Sequence, residues 1–330
     1  STPTATPTNT PTVTPTTTPT PTTTVDYTPI GLLGSYIIDP EGGSTTEYSG
    51  TSVDTNNDGS RIVIGSYSAN FTNGSSGAVR MYEYDNTQGW VLMGNEILAS
   101  TGEMGLGASV SMNSTGNRVI VGAPSSGGTY GNPDYLVGLA RVYEWDGSSW
   151  NSFGNDIQFP GTIDGTSSTK GQRTGVSVAI NAAGDRIAIS AEHAWNDTGG
   201  GGDTRRGQVR IYQYSNGSWV KMGSTIYGPD AYDEFGYSLD FNDAGDRFVA
   251  GNNALDNVPL YVYEWNGADW VQYGNGMTGI HSYDSLTQVA RLNSAGDRVV
   301  VGCEDAWING SGHDHGSAKV YQYDSGSWTQ

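Results

Sequence analysis

Cysteine is almost missing from this chain. Cys303 stands alone among 330 residues, so no disulfide framework within the chain staples the fold. It takes the place held by Ala123 in another copy of a repeat, at the end of a strand, so a packed core thiol is the expected role rather than a nucleophile. Cationic side chains are scarce as well. Lys and Arg number 15 against 34 Asp and Glu, and the formal net charge of −19 repels phosphate backbones and anionic membrane surfaces. Nucleic acid is not an expected partner. No apolar run approaches the ~20 residues of a membrane-spanning helix, so membrane insertion is not expected either, and no signal peptide opens the sequence, which reads as a mature form or a fragment. Helical periodicity is absent throughout, as are a Ser/His/Asp order, a phosphate loop and a cofactor fingerprint.

What the chain does have is glycine, 48 residues of it, and a sentence written five times. The clearest copy runs from Gly107 to Ile157. A turn asparagine recurs as Asn56, Asn113, Asn181, Asn242 and Asn293, with an arginine five places on at Arg61, Arg118, Arg186, Arg247 and Arg298. An aromatic then opens the last strand of each copy at Trp90, Trp150, Trp219, Trp270 and Trp328. The arginines lie 51 to 68 residues apart, and the variation falls in one loop after the second strand. Each copy reads as four short strands. In the clearest copy Val110 to Met112 alternates, Arg118 to Val121 is a continuous apolar run, Ala140 to Trp145 alternates, and Trp150 follows the turn Asp146-Gly147. A tandem repeat of this length predicts an all-β, five-bladed β-propeller of four-stranded antiparallel blades over residues 27–330.

The pattern Ser-Val, Asn-x-x-Gly, Arg-Val-Ile-Val-Gly-Ala-Pro, Ala-Arg-Val-Tyr-Glu-Trp resembles the FG-GAP, integrin-α-like propeller repeats of secreted and surface proteins, over about residues 30–330. The resemblance implies the fold and leaves function open among adhesion, assembly and other roles. It also implies a calcium site at the turn between first and second strands. Asp54, Asn56 and Asp58 begin such a loop, but no further carboxylate follows and the other four copies lack the ladder, so a plain hairpin turn is the stronger reading. His313 and His315 lack a third ligand. No cofactor is expected.

Residues 1–26 are a different material. Pro3, Pro7, Pro11, Pro15 and Pro19 recur every fourth place with Thr at Thr4, Thr6, Thr8, Thr10, Thr12, Thr14, Thr16, Thr18, Thr20 and Thr22. This Pro-Thr-x-Thr arm cannot bury apolar surface, reads as extended, and offers those threonines as O-glycan sites. Sequons at Asn70, Asn73, Asn113, Asn196, Asn216 and Asn309 are N-glycan candidates and argue for secretion. The last copy shows no Gly-x-x-Ile tail after Trp328, whereas Ile30, Leu32, Leu33 and Ile37 carry that spacing at the other end. Those four residues are expected to close the ring within the chain or to complete a neighbour's blade.

Catalysis is not expected, because the inner strands offer only Asp54 and Asp240 where a propeller hydrolase needs two or three converging carboxylates. Trp195 and Trp307, each near a carboxylate in a rim loop, are candidates for stacking on a sugar. The sequence reading is therefore a secreted structural subunit of an extracellular glycoprotein fibril or surface coat, a homopolymer assembling through its arm. The alternative is a carbohydrate-binding or adhesive propeller.

Overall fold

A computed structural model of the protein describes residues 33, 37, 48–70, 76–127, 136–159, 172–193, 205–230, 232–252, 259–278, 289–303 and 317–330. Among the described residues every regular element is a β-strand. Five sheets follow one another along the chain, each built on four antiparallel strands in sequence order, with short additions to the first (Ile97–Leu98 and, in parallel, Met104–Leu106) and to the third (Ile226–Tyr227). The first holds Ser52–Thr55, Arg61–Asn70, Ser76–Asp85 and Gly89–Leu92; the second Ser109–Met112, Arg118–Ala123, Leu139–Trp145 and Trp150–Ser152. The third holds Thr174–Ile180, Arg186–Ala191, Gln208–Ser215 and Ser218–Lys221, and the fourth Leu239–Phe241, Arg247–Ala250, Tyr261–Trp265 and Trp270–Gln272. The fifth holds Val289–Leu292, Arg298–Cys303, Ser317–Asp324 and Ser327–Thr329.

The repeated asparagine explains why each copy turns where it does. Its Oδ1 accepts the backbone N–H of the arginine five residues on, at 2.8 to 2.9 Å in all five copies. A short amide side chain thereby takes the place of a backbone acceptor inside a tight hairpin. Asn56→Ala is expected to cost about 1–3 kcal/mol, the penalty for a buried N–H left without its acceptor. Asn56→Asp keeps the acceptor, and the Ser60 hydroxyl that meets the amide nitrogen can turn to donate to it, so this variant should cost less. Urea midpoints of the two variants check this, and equal losses would show that the side-chain oxygen is not what matters.

The same residues join one sheet to the next. Arg61 Nη1 donates to Gly116 O, Arg118 Nη1 to Gly184 O, Arg186 Nη1 to Gly245 O and Arg247 Nη1 to Ala295 O, at 3.0 to 3.3 Å. From turn to turn runs a line of backbone bonds: Asn57 N–H to Ser114 O, Ser114 N–H to Ala182 O, Ala182 N–H to Asp243 O and Asp243 N–H to Ser294 O. The strand-opening indoles reach backwards in the chain. Nε1 of Trp219, Trp270 and Trp328 donates to the carbonyl of Phe153, Met222 and Tyr273 in the preceding sheet, and Trp90 donates to Leu33 O at 2.9 Å. Trp150 is the exception, its Nε1 buried without an acceptor among the described residues. Close approach of the sheets demands glycine at Gly207. Its φ is +76°, and a Cβ there would sit 2.2 Å from Phe235 O of the next sheet.

Apolar cores lie between successive sheets, each mixing the trailing face of one with the leading face of the next. On the trailing faces the paired residues Val63 and Met81, Ile120 and Val142, Ala188 and Ile211, and Val249 and Val262 are all fully buried. In the fifth sheet the corresponding pair is Val300 and Val320, and these are 45% and 56% exposed. The ring closed within the chain that the sequence suggests is therefore not what the described residues form. A valine pair that elsewhere meets the following sheet here meets solvent.

Candidate functional site

The first strands of all five sheets face one central cavity. Its broader part, about 830 Å³, is lined by Val53, Val110, Val178, Leu239 and Val289 along the strands and by charged side chains above them. Those charges are Arg173, Glu192, His193, Arg205, Glu234 and Arg291. Arg173 pairs with Glu192, and Arg205 lies 3.5 Å from Glu234. Burial pushes the Glu192 carboxyl above the usual carboxylate range, and Arg173 opposes that shift without cancelling it. Three guanidinium groups around one space stand out in a chain with so few cations. Together they suit a small ligand that carries a carboxylate or phosphate and several hydroxyls.

At the opposite end Asp54 and Asp240 line a smaller space of about 280 Å³. Each carboxylate stitches its strand to another sheet. Asp54 Oδ2 accepts Met112 N–H at 2.7 Å, and Asp240 Oδ2 accepts Leu292 N–H at 2.8 Å. Ser111 and Ser177 do the same more weakly for Ile180 and Leu239. Burial pushes Asp240 up to about 6, reinforced by the Asp54 charge and opposed by Arg291 and the Leu292 N–H.

The sequence candidates are distributed as follows. Asn216 is exposed at a hairpin tip with φ +49°, well placed to carry a glycan. Asn70 ends the strand Arg61–Asn70. Asn113 is a correction. It is 2% exposed, its Oδ1 holds Asn117 and Arg118, and its Nδ2 donates to Thr115 and Asn117, so the nitrogen a glycan would need is locked inside the turn. The turn candidates for calcium do not converge: Asp54 faces Met112, Asn56 caps Arg61, and Asp58 accepts Ser60 N–H. Among the described residues no cluster of three or more His, Cys, Asp or Glu could hold a metal. Leu33 is exposed and bound to Trp90, and Ile37 is half-buried. The Thr/Pro arm, Ile30, Leu32, Asn73, Asn196, Asn309, Trp195, Trp307, His313 and His315 lie outside the described residues.

No family model matches the sequence, and no curated protein matches it either. The fold does have solved relatives. A candidate 6-phosphogluconolactonase of Bacteroides uniformis superposes with a TM-score of 0.56 at 12% identity, covering 85% of this chain and 70% of that one. The hydrazine synthase of Kuenenia stuttgartiensis gives 0.51 at 11% identity, covering 87% and 66%. At these identities the likeness establishes a propeller-like all-β fold. It also corrects the expectation that the chain is not an enzyme. Two proteins named for catalytic activities share the architecture, and the only carboxylates weighed from sequence were those on the inner strands. Glu192 and Glu234 reach the same cavity from outside those strands.

Proposed function

We propose that the chain is a secreted structural subunit of an extracellular glycoprotein fibril or surface coat, polymerising through its N-terminal segment. Its five sheets are the blades of one propeller of the FG-GAP-like kind. One observation carries the reading: the apolar pair Val300 and Val320 is open to solvent in the fifth sheet and buried at the matching place in every other. An open sheet face that matches a face of the same molecule propagates head to tail wherever the rotation does not close. Micrographs of the full-length protein at rising concentration test the proposal. Filaments are the expected result, and monodisperse particles at high concentration would end it.

The arm and the sequons add a second expectation. For material from its natural source the intact mass should exceed the 34.9 kDa of the polypeptide by several hexoses. Modified peptides should map to Thr4 through Thr24 and to Asn70, Asn196, Asn216 or Asn309. An unmodified mass rejects the glycoprotein reading and leaves polymerisation to be judged separately.

The cavity favours a second reading, in which the chain binds, or acts on, an acidic sugar. Arg173, Arg205 and Arg291 supply the charge recognition, and the raised Glu192 is an acid–base group. Calorimetric titration with a sugar acid and with its neutral counterpart should give heat for the acid alone, lost in Arg205→Ala. Equal silence from both ligands would remove this reading.

A further inference from the structure

In four of the five sheets the chain runs on after the fourth strand along the outer edge of the third strand of its own sheet. Met93 N–H donates to Met81 O, Phe153 to Val142, Met222 to Ile211 and Tyr273 to Val262, each at 2.8 Å. Four residues further on an apolar side chain pairs with the third strand: Ile97 with Val79, Ile157 with Ala140, Ile226 with Val209 and Met277 with Leu260. A glycine follows the first of these residues every time, at Gly94, Gly154, Gly223 and Gly274. The third strand of the fifth sheet offers the same two places, Val320 O and Ala318, and among the described residues neither is met by such a segment.

Leu33-Gly34 and Ile37 carry the required spacing. The Leu33 carbonyl already behaves as the corresponding carbonyls of Phe153, Met222 and Tyr273 behave, accepting the indole N–H of the next sheet's tryptophan, here Trp90. Its N–H, however, makes no bond to Val320 O of the same chain. One molecule thus holds both halves of a junction that recurs four times within it, and among the described residues no bond joins the two.

We propose that the fifth sheet of one copy is completed by the segment bearing Leu33 and Ile37 from a second copy, with Leu33 N–H bonded to Val320 O and Ile37 paired with Ala318. This rests on the fibril reading above and names its contact. The second copy's first sheet follows its own Leu33 and covers Val300 and Val320, as a following sheet does at every internal junction. The partner is this chain itself, since the four occupied junctions define what the open one accepts. The contact is head to tail. Each copy donates from its N-terminal side and receives on its fifth sheet, so it repeats without limit.

The paired residues of an antiparallel ladder that exchange both hydrogen bonds have Cα atoms about 5.5 Å apart, within the span of a disulfide. In a Cys303→Ala background, Ile37→Cys in one preparation and Ala318→Cys in another should give an oxidised dimer on mixing. The double variant should give a ladder of covalent oligomers. A double variant that oxidises only within single chains, with no dimer from the mixture, overturns the proposal in favour of closure within the molecule. Filaments without cross-links overturn it too, while leaving the fibril reading standing on some other contact. Neither filaments nor cross-links removes both. Val320→Asp supplies an independent check, because the side chain is exposed in the single molecule and the variant folds as the parent does. Assembly should be lost at concentrations where the parent is fully polymerised, and undiminished filaments would count against the junction.

Discussion

Asp240→Asn is expected to stabilise the protein above pH 6 and to leave it little changed below pH 4. The carboxyl keeps some surface on the channel but has protein on nearly every side, and its folded value of about 6 lies above the ordinary 3.8. A raised value means the native state holds its proton more tightly than the unfolded chain. The associated stability is fully present below about pH 3.8 and is lost as pH rises through 6. That interval corresponds to at most about 3 kcal/mol, and less if channel water reaches the charge. Asparagine carries no charge at any pH and can still accept the Leu292 N–H, so its denaturation midpoint should exceed the parent's at pH 7.5 and match it at pH 3.5. A variant weaker than the parent at pH 7.5 would mean that attraction to Arg291 outweighs the cost of burial.

The second large effect is Phe248→Ala, which should cost about 3–5 kcal/mol. The ring is fully buried, stacked on Tyr263 at 5.1 Å and 13° and met edge-on by Trp270 at 5.2 Å and 71°. Tyr263 shares the pocket, and burial pushes its hydroxyl up to about 12. Removing the phenyl group strips three aromatic neighbours of their packing at once, since Phe241 also touches it. Phe248→Leu fills most of the space and should lose under half as much. A comparable loss from leucine would place the effect in ring stacking rather than in volume.

Much of the fold could be read from residues that do one job in every copy. The turn asparagine, the arginine and the tryptophan were visible because each satisfies backbone groups that any sequence would leave bare, so substitution is costly and repetition follows. The same logic misled at Asn113. There a sequon coincides with a turn anchor, and the acceptor pattern alone does not reveal that the amide is already spent. The cavity charges were illegible for a different reason. Arg173 and Arg205 flank the first two strands of the third copy and Arg291 lies in the fifth, at places where the other copies hold something else, and only the fold brings them together. Spacing marks Leu33 and Ile37 as fitting a junction, but the same spacing serves closure within the chain and completion of a neighbour's blade, so the sequence leaves both open.

The line of turn-to-turn bonds from Asn57 to Ser294 has one further consequence. Every link joins a main-chain donor to a main-chain acceptor on the neighbouring turn, so it is indifferent to side-chain identity and involves adjacent members only. Architecture of this sort grows by copying. A duplicated stretch of gene encoding one whole repeat would arrive with both of its connections already specified, and its neighbours would need no matching change.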